Sequence, residues 1–150
     1  MVLPAILPRS SEMELDQSLF ADMLTAAAQE ERLRKAKDLR TSAADTSQRM
    51  LNALQPGTLV PIHRHRQSCE TVLCLKGCIE EILYEEQPAH GGVELKEVRR
   101  IRLTAAGDTV GCQVPQGVWH TVHVLQPAVL FEAKDGPYVP TDSQDIWSPR

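Results

Sequence analysis

From residue 49 onward proline and glycine cut the chain at short, regular intervals, and that rhythm leaves room for little but short strands. Residues 49–54, 58–64, 70–75, 78–84, 93–103, 109–114, 118–125 and 128–134 are apolar runs or alternate apolar with polar. Pro56-Gly57, Gly77, residues 88–92, Gly107-Asp108, residues 115–117 and Pro127 separate them. Strand side chains alternate between two faces, so such runs half-bury against a core. Many short strands with turns between them predict an antiparallel sandwich or small barrel. The ten prolines and eight glycines fit that expectation.

The segment 15–37 follows another period. Leu15, Leu19, Met23 and Ala26 recur at helical spacing, with Phe20, Leu24 and Ala27 widening the stripe. Glu30–Arg34 and Glu31–Lys35 are i,i+4 pairs in the favourable order, and Asp16 or Ser18 can cap the start. This predicts a helix over 15–37, followed by a Ser/Thr/Asp-rich linker at 39–47. The organisation expected is a helical extension at 1–47, a β-barrel at 48–135 and an irregular tail at 136–150 packed on the barrel. Residues 1–12 read as irregular.

A chain of 150 residues fits one domain with a sizeable core. A net charge of -4 gives no basic footprint for nucleic acid and no polybasic patch for a membrane, so neither partner is expected. The first ten residues have no basic stretch before their apolar run, and two prolines interrupt it, so no secretory signal is read there. No apolar run is long enough to span a bilayer. Cys69, Cys74, Cys78 and Cys112 are then expected as reduced thiols in a cytoplasmic protein. Exposed strand edges and the amphipathic helix make a homodimer the expected assembly.

The chemistry concentrates in residues 57–77, GTLVPIHRHRQSCETVLCLKG. In an extended strand His63 and His65 point the same way about 7 Å apart, and Glu70 can face them from the next strand after a short turn. Downstream, the Pro115–Gly117 turn delivers His120 at the start of another strand. Three imidazoles and one carboxylate suit a divalent transition metal and leave a position open for water or substrate. His123 has the opposite parity to His120 and reads as a non-ligand. His90, in a hairpin loop, reads as solvated. Cys74 shares parity with Glu70, though burial as a small hydrophobe is the expected outcome.

Four further residues are candidate substrate contacts. Arg49 and Asn52 sit in an apolar context before the metal segment, with parities that forbid both from turning inward in a regular strand. Glu132 and Lys134 alternate with Val129, Phe131 and Ala133, so one face there is polar and meets either solvent or a wet pocket mouth.

Gly57-x5-His63-x-His65-x4-Glu70-x6-Gly77 resembles the first cupin motif, and Pro115-x-Gly117-x2-His120 resembles the core of the second. Two positions of the second motif depart: its leading glycine falls early at Gly107, and its trailing asparagine is Val124. The segments around Gln48–Thr58, Trp119-His120-Thr121 and Lys134-Asp135-Gly136-Pro137-Tyr138 resemble the WbuC-type cupin-fold metalloproteins over nearly the whole chain. That resemblance implies a double-stranded β-helix, a jelly-roll barrel, with an N-terminal helical extension. It also implies one divalent transition metal (Fe, Zn, Ni or Mn) on His63, His65, Glu70 and His120. The family's name comes from lipopolysaccharide O-antigen gene clusters, which hints at sugar chemistry. Two readings of function stay open. One is a metal-dependent enzyme (isomerase, epimerase, lyase or dioxygenase) on a small polar substrate related to a sugar or sugar nucleotide. The other is a non-catalytic module that binds or senses a sugar or small anion around a structural metal.

Overall fold

The computed structural model describes residues 13–148, so the irregular reading of residues 1–12 lies outside the described residues. One helix, α1 (Gln17–Gln29), precedes six strands: β1 (Arg34–Asp38), β2 (Ser47–Leu54), β3 (Glu70–Ala89), β4 (Gly92–Thr104), β5 (Gly111–Val114) and β6 (Trp119–Asp135). A short 3-10 turn, Ser143–Asp145, lies in the tail. The sheet runs β1-β2-β6-β3-β4, with β5 joined to β3, and every pairing between strands is antiparallel. The described residues are thus mainly β with a single α-helix, as the turn rhythm predicts.

The helix is shorter than its periodicity suggests. Asp16 caps it, with Leu19 N–H donating to the carboxylate at 2.9 Å. Phe20, Met23, Leu24 and Ala27 are its buried residues, and beyond Ala28 the stripe gives way to Gln-Glu-Glu-Arg with nothing apolar to bury. The chain reverses through residues 30–33, with Leu33 in the left-handed region at φ 56°. Residues 34–38 therefore form an edge strand on β2 instead of the last helical turns. The charges expected to pair as Glu30–Arg34 and Glu31–Lys35 regroup: Lys35 Nζ meets Glu30 at 3.3 Å across this reversal, and Arg34 Nη1 donates to Leu59 O at 3.4 Å.

Other expected elements merge or dissolve. Residues 58–64 form no strand; His63 alone makes isolated bridges, to His120 and to Ile146. The runs 70–75 and 78–84 are one strand, as are 118–125 and 128–134. Register shifts around Lys76 and Cys78 absorb the irregularity. Gly77 sits there at φ 77°, and a Cβ on it would run into the Pro127 carbonyl. Pro127, which has no N–H to give, occupies the facing gap in β6. Glycine and proline thus bend a continuous ribbon where the sequence suggested two turns.

That bend positions the site. Glu70 opens β3 and pairs with Lys134 near the end of β6, while His120 near the start of β6 pairs with Leu83. Along the ribbon these places lie far apart, yet Glu70 Oε1 and His120 Nε2 are 4.0 Å apart. The β3–β6 ribbon therefore curls back on itself. Its concave side holds a core of Leu54, Val72, Ile79, Leu103, Val124 and Leu130. Its other face, through Leu51, Ala53 and Val129, packs against Phe20, Met23, Leu24 and Ala27 of α1. By covering that apolar face, the helix leaves the opposite parity of β2 and β6 (Asn52, Leu130, Glu132, Lys134) directed at the barrel interior.

Candidate metal centre

The loop between β2 and β3 is pinned from several sides. Thr58 Oγ1 donates to Arg32 O at 2.7 Å, and Thr121 Oγ1 donates to Val60 O at 2.6 Å. His63 and His120 exchange backbone hydrogen bonds of 3.0 and 2.8 Å. Gly117, at φ 79°, donates its N–H to His65 O at 2.7 Å, so the second motif's turn ties directly to the first motif's loop.

This brings three imidazoles together. Ring centroids of His63 and His120 are 4.3 Å apart, those of His63 and His65 5.0 Å, and those of His65 and His120 5.3 Å. One nitrogen from each lies within 4.8 Å of the other two, a group that could hold a metal ion. His63 Nδ1 lies 2.8 Å from Pro61 O, and His120 Nδ1 lies 2.9 Å from Val118 O. A carbonyl only accepts, so each Nδ1 carries the proton and each Nε2 presents a lone pair. His120 Nε2 is buried without a hydrogen-bond partner, and the buried His65 Nε2 faces the Glu70 carboxylate. The lone pairs on His63 Nε2 and His120 Nε2, converging beside a third imidazole, suit a cation.

The electrostatics agree. Burial, reinforced by the neighbouring His120, lowers the His63 pKa to about 4, and burial lowers that of His120 as well. Both rings are therefore neutral at pH 7, the form that binds metal. Glu70 Oε2 lies 2.9 Å from His65 Nε2 and 3.2 Å from Lys134 Nζ. Burial opposes its charge, but His65, Lys134 and His120 together hold its carboxyl well below the usual range. Glu70 thus stands beside the imidazole group as a carboxylate, shared with a lysine.

The remaining candidates separate cleanly. Asn52 turns inward and its amide donates to Glu132 Oε1 at 3.3 Å. Arg49 turns the other way, to Asp45 and to Ser47 O. Glu132 and Lys134 turn into the barrel, and of the two Lys134 lines the cavity beside His65. Burial, then the charge of Glu70, pushes the Glu132 carboxyl up to about 7. His123 is exposed and pairs with Glu80, and His90 is exposed at the β3–β4 hairpin. All four cysteines are free; Cys74 is buried, with its thiol on Lys76 O and Gly77 O, away from the imidazole group.

Sequence reasoning missed Glu81. It is fully buried, and neither carboxyl oxygen has a hydrogen-bond partner. Burial, with Glu70 and Glu132 adding their charges, raises its pKa well above the carboxylate range. Its signal was present: Glu81 shares strand parity with Ile79 and Leu83, so a carboxylate stands in an apolar row. A cavity of about 680 Å³ opens beside His65, between Lys134, Arg64 and Arg66 on one side and tail residues 137–145 on the other.

Comparison with known proteins bears on the fold. The family model described as "Domain of unknown function (DUF6016)" matches residues 15–94. No curated protein matches the sequence. Among solved structures, KdgF from Halomonas sp. is similar at a TM-score of 0.53 and 14% identity, covering 73% of this chain and 84% of that one. The Cnp3 cupin domain of Schizosaccharomyces pombe is similar at 0.52 and 14%, covering 76% and 69%. An oxalate decarboxylase from Lactobacillus farciminis, solved as a formate complex, is similar at 0.54 and 17%; the match covers 73% of this chain but 30% of that one. At these identities the likeness is one of fold, and the fold is that of the cupins.

Proposed function

The chain belongs to this family of unknown function, and for it we propose a divalent-metal protein in which His63, His65 and His120, with Glu70, hold the ion. The observation that carries this reading is the pair of backbone-fixed imidazoles whose free Nε2 atoms converge with His65 beside a carboxylate. Three imidazole nitrogens and one carboxylate oxygen leave part of a divalent charge uncompensated and at least one position for an exchangeable ligand. A metal bound there would supply Lewis-acid polarisation of a substrate oxygen or of water.

The chain's own groups define what could be done with it. Lys134 shares the Glu70 carboxylate with the imidazole group. Glu132, held by Asn52 and titrating near neutrality, is placed to take or return a proton. A polar cavity beside His65 admits a small molecule bearing hydroxyl or carboxyl groups. The site therefore favours a metal-dependent enzyme on a small polar substrate over a purely binding module, because a titratable group beyond the ligands lies in the interior. The resemblance to WbuC-type proteins directs the search for that substrate toward sugars and sugar nucleotides. A homodimer and a cytoplasmic setting belong to the same reading. Among the described residues no helix is long and apolar enough to cross a membrane.

Elemental analysis of untagged protein tests the central statement. One divalent transition metal per chain is expected, and a preparation that neither contains nor takes up such an ion overturns it.

A further inference from the structure

The sequence His63-Arg64-His65-Arg66 alternates imidazole with guanidinium, and the two kinds of side chain go to opposite places. The imidazoles turn into the barrel. The guanidiniums of both arginines meet one carboxylate, Asp145, with Arg64 Nε at 3.0 Å and Arg66 Nε also in contact. Asp145 lies in the tail, and the tail is hydrogen-bonded to this same loop: Arg64 N–H donates to Asp145 O at 3.0 Å, and Trp147 N–H donates to Ile62 O at 2.8 Å. His63 bridges His120 on one side and Ile146 on the other. The ligand-bearing loop therefore runs between β6 and residues 145–147, joined to each by an isolated bridge at His63.

Side chains lock the outer line in place. Arg64 stacks over the Trp119 ring, 4.3 Å from its centroid, and Trp119 meets Trp147 edge-on at 5.5 Å. The Trp119 indole N–H donates to Glu86 Oε1 at 2.9 Å, and Arg64 Nη1 reaches the same oxygen at 3.6 Å. The Asp142 carboxylate caps the turn that presents Asp145, accepting from Gln144 N–H at 2.8 Å.

We infer that Asp145 is a positioning residue for the metal centre, fixing the orientation of His63 and His65 by holding Arg64 and Arg66 on the outside of the loop. The physical reason is alternation. In an extended segment, pinning one parity fixes the direction of the other. A single carboxylate that grips residues 64 and 66 thus sets the facing of residues 63 and 65. It also neutralises two cations that would otherwise stand beside a site built to attract one. Groups that orient metal ligands in this way, one step removed from the ion, set affinity as strongly as some ligands do. The inference rests on the metal reading above for its consequence, although the ordering of the two rings is a property of the metal-free chain.

The test uses full-length wild type, Asp145→Asn, Asp145→Glu and Arg66→Gln. Each is titrated with Zn²⁺ against a chromophoric chelator, and the histidine ring signals of the metal-free proteins are followed by NMR. Asp145→Asn is expected to weaken Zn²⁺ roughly 10- to 100-fold, with the His63 and His65 ring signals shifted and broadened and those of His120 unmoved. Asp145→Glu, which keeps the charge, recovers most of the loss. Arg66→Gln, at an exposed position that cannot unfold the core, gives a smaller loss in the same direction. Affinity within twofold of wild type together with unchanged ring signals in Asp145→Asn and Arg66→Gln overturns the inference. Wild type that binds no Zn²⁺ refutes the metal reading instead, and the ring signals then decide the role of Asp145 by themselves.

Discussion

Lys134 Nζ lies 3.2 Å from Glu70 Oε2, so the carboxylate nearest the imidazole group is claimed by the lysine that faces it across the β3–β6 ribbon. Both side chains are largely buried. Lys134→Met would leave Glu70 as a buried anion with less compensation. A loss of about 1–3 kcal/mol in the metal-free protein is expected, since a charged group stripped of its partner bears the desolvation cost. Urea unfolding measures this. Divalent binding should tighten in the same variant, because Glu70 is no longer shared; an unchanged or weaker affinity argues against Glu70 as a ligand.

His63→Ala and His120→Ala should each abolish stoichiometric metal while the barrel persists. Each ring hangs from a backbone-anchored position, and the loop–β6 bridge between these residues is made by main-chain atoms. Elemental analysis after exchange against trace chelator reads the first effect and far-UV circular dichroism the second. Full metal content in either variant removes that residue from the ligand set.

Glu132 predicts a pH dependence of stability in the metal-free protein. Its folded pKa is raised from 4.5 to about 7, chiefly by burial. A raised carboxyl keeps its proton in the folded chain after the unfolded chain has lost it. Its contribution is therefore complete below about pH 4.5 and is lost as pH rises through about 7, amounting to about 3 kcal/mol over that window. Glu132→Gln should flatten the curve across that range. Parallel stability–pH profiles for the two proteins would contradict the assignment.

Glu81 costs the fold stability without any visible structural return. Replacing it by leucine should raise the unfolding free energy by about 1–3 kcal/mol, because an unpartnered buried polar group is removed. Equilibrium denaturation measures the gain. A decrease would mean that the carboxyl has a partner in solution, a bound water or ligand.

Much of this was legible before any coordinates. The grouping of His63, His65 and His120 could be anticipated because a metal-type motif has particular residue types at particular spacings, and the Pro115–Gly117 turn announces itself chemically. The end of the helix could not be read from charge pairs. Glu30, Glu31, Arg34 and Lys35 suit a helix surface equally well as a reversal, and what decided the matter was the free edge of β2. The direction of Glu132 and Lys134 was likewise undetermined locally, because alternation says that two faces differ and tertiary packing says which is inside. Here α1 made that choice by covering Val129 and Phe131. The strand breaks at Gly77 and Pro127 misled for a related reason: each residue alone signals a turn, but set opposite each other they make a bend both strands survive.

The curled ribbon has a thermodynamic corollary. Glu70 and His120 belong to distant places along β3 and β6 and meet at 4.0 Å because the ribbon has closed on itself. An ion held between them would be a clasp on that closure, tying the loop before β3 to the beginning of β6 across most of the barrel sequence. Long loops are where such a tie restrains an unfolded chain most, and an ion that prefers the closed form adds its binding energy to that of folding. The protein's resistance to opening would then be set by the supply of metal around it as much as by its own core.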